Sequence, residues 1–310
     1  MKNFVLIDGF AMMFRSFYAV RFSPQYQGKN INAVYGCATT IMQAIEQFGP
    51  EKIVVALDAP EKTFRHELDP EYKAQRTEAP DEFIAQIDLV KDLIKAFNIP
   101  LLIKPGFEAD DIIGTLVTQA DDYHSYILSG DLDFLQLVSD RITLAKFNGK
   151  EPLLFDRQST IEKLGLPPEQ VIDYKALCGD SSDNYKGLPG LGPKGASKLL
   201  AEYPTLEAIY QNLEHLPEKQ RAKFEEHKDY VQHCQYLATI NKEVALEVTP
   251  DSLEKYEVPT QSIVEFFDMV GFRTLASRAQ NLNLKSVQNK SDEQKKVSKK
   301  VSDEGQMSIF

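Results

Sequence analysis

FEADDIIGTLVTQADDYHSYILSGDLDFL, residues 107–135, holds two tight acidic groups: Glu108, Asp110 and Asp111, then Asp131 and Asp133. Between them, Ile112, Ile113, Leu116 and Val117 recur at helical spacing, and Tyr126–Leu128 reads as a short β run. One acidic group therefore opens a helix and the other follows a strand. Carboxylates crowded in this way repel one another unless cations or protons lie among them. Oxygen ligands alone suit Mg²⁺ or Mn²⁺. The alternative is capping, because Asp and Glu also favour helix N-termini. Taken by itself, the stretch leaves both readings open.

The flanking sequence bears on that choice. Phe4–Asp8 (FVLID) and Ile53–Asp58 (IVVALD) are continuous apolar runs ending in an acid, the pattern of buried parallel strands. Ile99–Ile103 and His124–Ser129 add two more strands. Ile142–Lys146 and Pro152–Phe155 flank an Asn148-Gly149 hairpin signal. Helical periodicity fills residues 11–20, 31–48 and 81–97. The first 156 residues thus alternate strand and helix, which predicts an α/β fold with a mostly parallel sheet. In such sheets ligands bind beyond the carboxyl ends of the strands. Asp8, Asp58, Glu108 and Asp131 all fall there. Capping accounts for any one of them but not for an acid after every strand, which favours a metal site.

From residue 157 to about 285 the pattern is helical, with segments at 168–178, 205–212, 217–237 and 261–281. Here Asp180 and Asp183 share a helix face or a turn, and an Asx turn or N-cap accounts for them as well as a metal site does. Gly187-Leu188-Pro189-Gly190-Leu191-Gly192-Pro193-Lys194 precedes a helix and reads as a helix–hairpin–helix at 180–200. Gly187, Gly190 and Gly192 let backbone approach a phosphate, and Lys194 and Lys198 add charge. Such contacts position DNA without reading its sequence.

Residues 60–80 nearly lack aliphatic side chains and begin and end with Pro. Lys62, Arg65, Lys73 and Arg76 alternate with Phe64 and Tyr72. An insertion of this kind is either functional or a solvated loop. The net charge of −11 argues against a polyanionic partner, but setting aside nine candidate ligand acids leaves −2. Binding phosphate requires only a local basic surface. Three widely spaced cysteines fit reduced thiols in a cytosol. No run approaches a membrane span. No Walker lysine loop or Ser-His-Asp set competes, so phosphodiester hydrolysis by metal-bound water suits the inventory best.

LIDGFAMMFRSFYA, ALDAPEKTFRHELDPEYKAQR, FEADDIIGTL, SGDLDFLQL and GDSSDNYKGLPGLGPKGA together resemble the 5′-nucleases, the family of the 5′→3′ exonuclease domain of bacterial DNA polymerase I and of flap endonucleases. The five blocks occur in order between residues 6 and 196, and the resemblance covers about residues 1–285. The resemblance implies a PIN-like fold whose 60–80 segment is a helical arch. It implies one metal cluster of Asp8, Asp58, Glu108, Asp110, Asp111 and Asp131, and a second of Asp133, Asp180 and Asp183, with Asp131 near both. Lys73 and Arg76 would engage the scissile phosphate, Tyr72 would stack on a base, and Arg15, Lys62 and Arg65 would contact phosphates. It further implies two Mg²⁺ or Mn²⁺ ions, K⁺ at the helix–hairpin–helix, and DNA with 5′ flaps, nicks or free ends as substrate. RNA primers are a further candidate substrate. Tyr185-Lys186 and Gly195 depart from the usual pattern, within the duplex-binding loop. The expected protein is a stand-alone, monomeric, cytoplasmic and nucleoid-associated nuclease. Its rivals are a non-catalytic DNA-end-binding protein of the same fold and an RNA-directed nuclease.

Residues 286–305 are charged and lack aromatics, which predicts a disordered linker. The closing Gln306-Met307-Ser308-Ile309-Phe310 resembles the peptide that binds the bacterial sliding clamp. Met307, Ile309 and Phe310 would fill an apolar groove and Gln306 would anchor it, giving a tether on DNA.

Overall fold

The computed structural model describes residues 1–147, 149 and 151–282; the expected linker and clamp peptide lie outside them. In chain order the elements are β1 (Lys2–Asp8), α1 (Gly9–Ala19), β2 (Gln25–Tyr26), β3 (Lys29–Asn30), α2 (Asn32–Phe48), β4 (Lys52–Ala56), α3 (Phe64–Leu68), α4 (Asp81–Ile84), α5 (Ile87–Ala96), β5 (Leu101–Leu102), α6 (Ala109–Thr118), β6 (Tyr123–Leu128), β7 (Ile142–Phe147) and β8 (Pro152–Phe155). After them come α7 (Arg157–Leu164), α8 (Val171–Cys178), α9 (Pro193–Glu202), α10 (Leu206–Gln211), α11 (Glu218–Glu226), α12 (Lys228–Ala238) and α13 (Thr260–Val270). Residues 273–282 are also helical.

The six-stranded sheet has the order β5-β4-β1-β6-β7-β8, parallel throughout except for the antiparallel β7–β8 edge. The apolar runs became its centre because both faces of β1 and β4 are buried. Register aligns the strand ends: Asp8 lies beside Ala56, and Ile7 beside Leu128. Chain leaving β1, β4 and β6 therefore emerges at one edge of the sheet. As expected, no strand follows residue 156 among the described residues.

The chain divides into two compact units. The first comprises residues 1–12, 52–80 and 101–254 and holds the sheet. Its core is continuous, running from Phe4, Leu6 and Val54 through Ile112 and Leu116 of α6 to Leu177, Leu200, Phe224 and Leu237 in the later helices. The second unit comprises residues 13–51, 81–100 and the described chain from 255 onward. There α5 packs against α2 and α13. The helix expected over 81–97 is broken before Ile87 for a local reason. Gln86 is 1% exposed, and its amide accepts from Ala33 N (2.9 Å) and donates to Asn32 Oδ1 (3.1 Å) and Glu82 O (2.9 Å). It satisfies a free N–H at the start of α2, which the sequence around Ile31 does not cap.

The 60–80 segment departs from the expected helical arch. Only Phe64–Leu68 is helical, and residues 70–75 form turns. Lys73 sits at φ +57°, a left-handed conformation incompatible with a helix, so Lys73 and Arg76 do not share a helix face.

Candidate metal centre

β1 delivers Asp8 at its last residue, and hydrogen bonds from the first turn of α1 and from Ser129 fix its two oxygens. Oδ1 accepts from Ala11 N (3.0 Å) and Oδ2 from the Ser129 hydroxyl (2.7 Å). Ser129 Oγ in turn accepts from Asp131 N (3.0 Å), and Asp131 Oδ1 from Asp133 N (2.9 Å). One serine thus ties the end of β1 to the loop after β6. Asp58 accepts from Ala109 N (2.7 Å), the first N–H of α6, and Glu108 is the N-cap of that helix. Capping and convergence are therefore not rivals here, because the caps bring the carboxylates to one place.

The electrostatics record the crowding. Burial first, then Asp58 and Asp131, push Asp8 up to about 6. Burial, Asp8 and Asp131 raise Asp110 well above the usual carboxylate range. Burial and the neighbouring Glu108 raise Asp58 despite its bond from Ala109. Carboxylates that hold protons this firmly are short of positive charge. The set Asp8, Asp58, Glu108, Asp110 and Asp131 fits a divalent cation on those grounds and by its all-oxygen donors.

Asp111 does not belong with them. It is fully buried, and its oxygens accept from Arg65 Nη1 and Nη2 (both 2.8 Å), Asn241 N (2.8 Å) and Glu108 N (3.1 Å). A carboxylate has about four lone-pair positions, and all are taken. The sequence assigned it to the metal; the structure makes it the anchor of an arginine. That arginine is also reassigned. Arg65 is 2% exposed, and its five N–H groups all donate within the protein: to Asp111 twice, to Glu108 Oε2 (3.3 Å), to Leu237 O (3.1 Å) and to Thr239 O (2.7 Å). No donor is left for a phosphate. Tyr72, expected to stack on a base, is 3% exposed, and its hydroxyl lies 3.2 Å from both Glu108 Oε2 and Asp183 Oδ2.

The second trio assembles as expected: Asp133, Asp180 and Asp183 bring one oxygen each within 4.8 Å of one another. Asp180 and Asp183 lie on a loop, not a helix. Asp180 Oδ1 accepts from Ser182 N (2.7 Å), an Asx turn, and paired bonds between Asp180 and Tyr185 close the loop. The Asx turn offered as the alternative account of these residues is present and holds two of the three acids in place. Burial and Asp131 push Asp133 up to about 7, restrained by Lys175. Asp180 falls to about 2 because Lys175 and Ser182 outweigh its burial.

Lys175 joins the trio without any motif to mark it. From the last turn of α8 its ammonium donates to Asp133 Oδ1 and to Asp180 Oδ2 (2.6 Å). A lysine near a helix C-terminus is so ordinary that only the five-residue step to Asp180 hinted at it.

Residues 70–76 are stitched onto these acids. Lys73 Nζ donates to Glu108 Oε1 (2.8 Å) and Arg76 Nη2 to Asp183 Oδ1 (3.0 Å). Asn184 Nδ2 donates to Glu71 O (2.7 Å) and Gln75 Nε2 to Ser181 O (2.6 Å). Burial works against the Lys73 charge, yet Glu108, Asp183 and Asp110 raise its pKa on balance. Lys62 is exposed at the start of this segment. Arg15 lies half-buried on α1 in the second unit.

The glycine loop links α8 to α9. Gly179 and Gly187 have positive φ, and a Cβ on Gly187 would stand 2.4 Å from Gly179 N. Only glycine fits that backbone crossing. Gly190 also has positive φ, Gly192 caps α9, and Lys194 and Lys198 are exposed on it.

Two family profiles match in tandem: the 5′-3′ exonuclease N-terminal resolvase-like domain over residues 3–165, and the 5′-3′ exonuclease C-terminal SAM fold over residues 166–261. DNA polymerase I of Synechocystis sp. is 36% identical over 293 residues, 89% of this chain and 30% of the relative. DNA polymerase I of Mycobacterium bovis is 38% identical over 281 residues, 88% of this chain and 31% of the relative. The chain thus spans about three-tenths of the length of these relatives. In fold it is similar to the bacteriophage T5 flap endonuclease solved as a pseudo-enzyme–product complex with DNA and metal ions. The TM-score is 0.65 at 22% identity, over 92% of this chain and 99% of that one.

Proposed function

The chain belongs to the 5′-3′ exonuclease family, and from that premise we propose that it is a structure-specific 5′-nuclease that hydrolyses DNA near 5′ ends, nicks and flap junctions with two divalent ions. The convergence of Asp8, Asp58, Glu108, Asp110 and Asp131 beyond the strand ends, with Asp133, Asp180 and Asp183 beside them, carries this reading. Divalent ions at such clusters supply an activated water and neutralise the charge on the leaving oxygen. Mg²⁺ or Mn²⁺ suits the donors. In this reading Asp8 and Asp131 are held in register by Ser129, so the first site is preorganised. Lys73 and Arg76 offer positive charge at its rim, where a phosphate would exchange with Glu108 and Asp183 as their partner. The α8–loop–α9 segment, as a helix–hairpin–helix, would hold duplex backbone through its N–H groups, Lys194 and Lys198, with K⁺ bound at the loop. Removal of RNA primers and flaps in replication and repair, in a monomeric, nucleoid-associated protein, is consistent with this activity. The clamp peptide, Gln306 to Phe310, remains part of the proposal. Equal clamp retention by the full chain and by a version ending at Gly305 would remove it.

The test uses a labelled 5′-flap duplex with Mg²⁺. Cleavage near the junction is expected, abolished by EDTA and by Asp131→Asn, with flap binding by the variant retained. Uncut flap that is nonetheless tightly bound by the wild-type chain would support a DNA-end-binding module instead.

A further inference from the structure

The two acid groups differ in how they are neutralised. Among the described residues, Asp8, Asp58, Asp110 and Asp131 form no ion pair and Glu108 is the one paired acid of the first group, held by Lys73 and Arg65, whereas every acid of the second trio is paired. Arg76 pairs with Asp183, but that arginine side chain is 53% exposed. Lys175 is different. Its side chain is 13% exposed, it is rooted in α8, and its ammonium bridges Asp133 and Asp180, two of the three residues a cation there would use. A divalent ion and an ammonium competing for the same two carboxylates repel each other strongly at such range.

We propose that Lys175 is a resident counter-cation of the second cluster, which a divalent ion must displace from Asp133 and Asp180, so that this site binds metal more weakly than the first and fills after it. The inference rests on the two-ion reading above and assigns an order to it. In the metal-free protein the bridge removes the cost of holding two carboxylates together at low exposure. On filling, the same bridge is the barrier. A substrate phosphate, adding negative charge beside the trio, would favour the exchange.

The experiment titrates Mn²⁺ into the full chain without DNA and counts free ion by electron paramagnetic resonance, for the wild type, Lys175→Met and Lys175→Gln. Circular dichroism checks the fold of each. One tight and one weaker site are expected in the wild type. Either substitution should tighten the weaker site by about tenfold or more and leave the tight site unchanged. Should both variants fail to fold, amine acetylation followed by mass spectrometry decides the question in the wild-type chain. Saturating Mg²⁺ should raise the labelling rate of Lys175, which is protected while bridged. An unchanged or weakened second site in a folded variant, or labelling indifferent to Mg²⁺, would overturn the proposal. Two bound ions with no effect of Lys175 would overturn it alone; a single bound ion in all three proteins would take the two-ion reading with it.

Discussion

Arg65→Met separates two readings of one residue. The family resemblance makes Arg65 a phosphate contact; the structure makes it an internal brace. Methionine keeps the unbranched stem and removes all five donors. Asp111, with no exposure, would keep its bonds from Asn241 N and Glu108 N but lose both guanidinium bonds at 2.8 Å. Removing one partner from a buried pair leaves an uncompensated charge, at a cost of about 3–5 kcal/mol. Leu237 O, among the last carbonyls of α12, would also lose its donor, and about 1 kcal/mol more with it. At 2–4 °C per kcal/mol, the combined loss of about 4–6 kcal/mol should lower Tm by roughly 8–24 °C. Urea unfolding of the metal-free chain measures this directly. Adding Asp111→Asn to Arg65→Met should recover part of the loss, because the orphaned charge is gone. Arg65→Lys should not restore the wild type, since an ammonium has three donors and no planar fork. Stability within 1 kcal/mol of wild type, with flap affinity sharply reduced, would refute the brace and restore the phosphate contact.

Lys73→Ala should lower the rate of flap cleavage by about 10²–10³ while Mn²⁺ stoichiometry is unchanged; a smaller effect would reduce residues 70–76 to a surface loop. Gly187→Ala should destabilise the chain by about 2 kcal/mol or more, because a positive φ of 63° and a 2.4 Å approach to Gly179 N both penalise the methyl; wild-type urea stability would show that the crossing is not as tight as described. The metal-free chain should lose stability as pH rises from about 4 to about 6. Asp8, raised to about 6, contributes stability that is fully present below its unfolded value near 3.9 and lost as pH rises through its folded one. Asp110 shifts in the same direction, and saturating Mg²⁺ should abolish the slope. Stability that climbs over that interval without metal would contradict the crowding of the first cluster.

The strands were legible because a sheet buried on both faces needs unbroken apolar runs, and FVLID and IVVALD are such runs. Their terminal acids were legible for the same reason: a carboxylate ends a core strand only where the chain leaves the core. What local pattern does not hold is the identity of distant partners. Nothing near Arg65 announces that its acceptors are Asp111, Leu237 and Thr239, so exposure to solvent was the natural assumption for an arginine in a polar insertion. Tyr72 was misread in the same way. The β2–β3 hairpin escaped because each strand is two residues long, and its turn sets Gln27 as well as Gly28 at positive φ. Likewise the break after α11 falls at His227, where no Gly or Pro marks it.

The brace at Arg65 also sets a schedule for biosynthesis. Its two carbonyl acceptors are synthesised 172 and 174 residues after it, and Asp111 waits 130 residues for Asn241 N. Contacts of such separation form late, since the intervening chain must close first. On a ribosome adding about 5–20 residues each second, the strands that lead to Asp8, Asp58 and Asp131 emerge several seconds before the segment that carries Asn241. Until Asn241 has emerged, the nascent chain carries its acids without the carbonyls and amide that lock Arg65 and Asp111 beneath them. The acidic centre is therefore assembled only near the end of its first compact unit, and a chain interrupted before that point holds the carboxylates but not the frame.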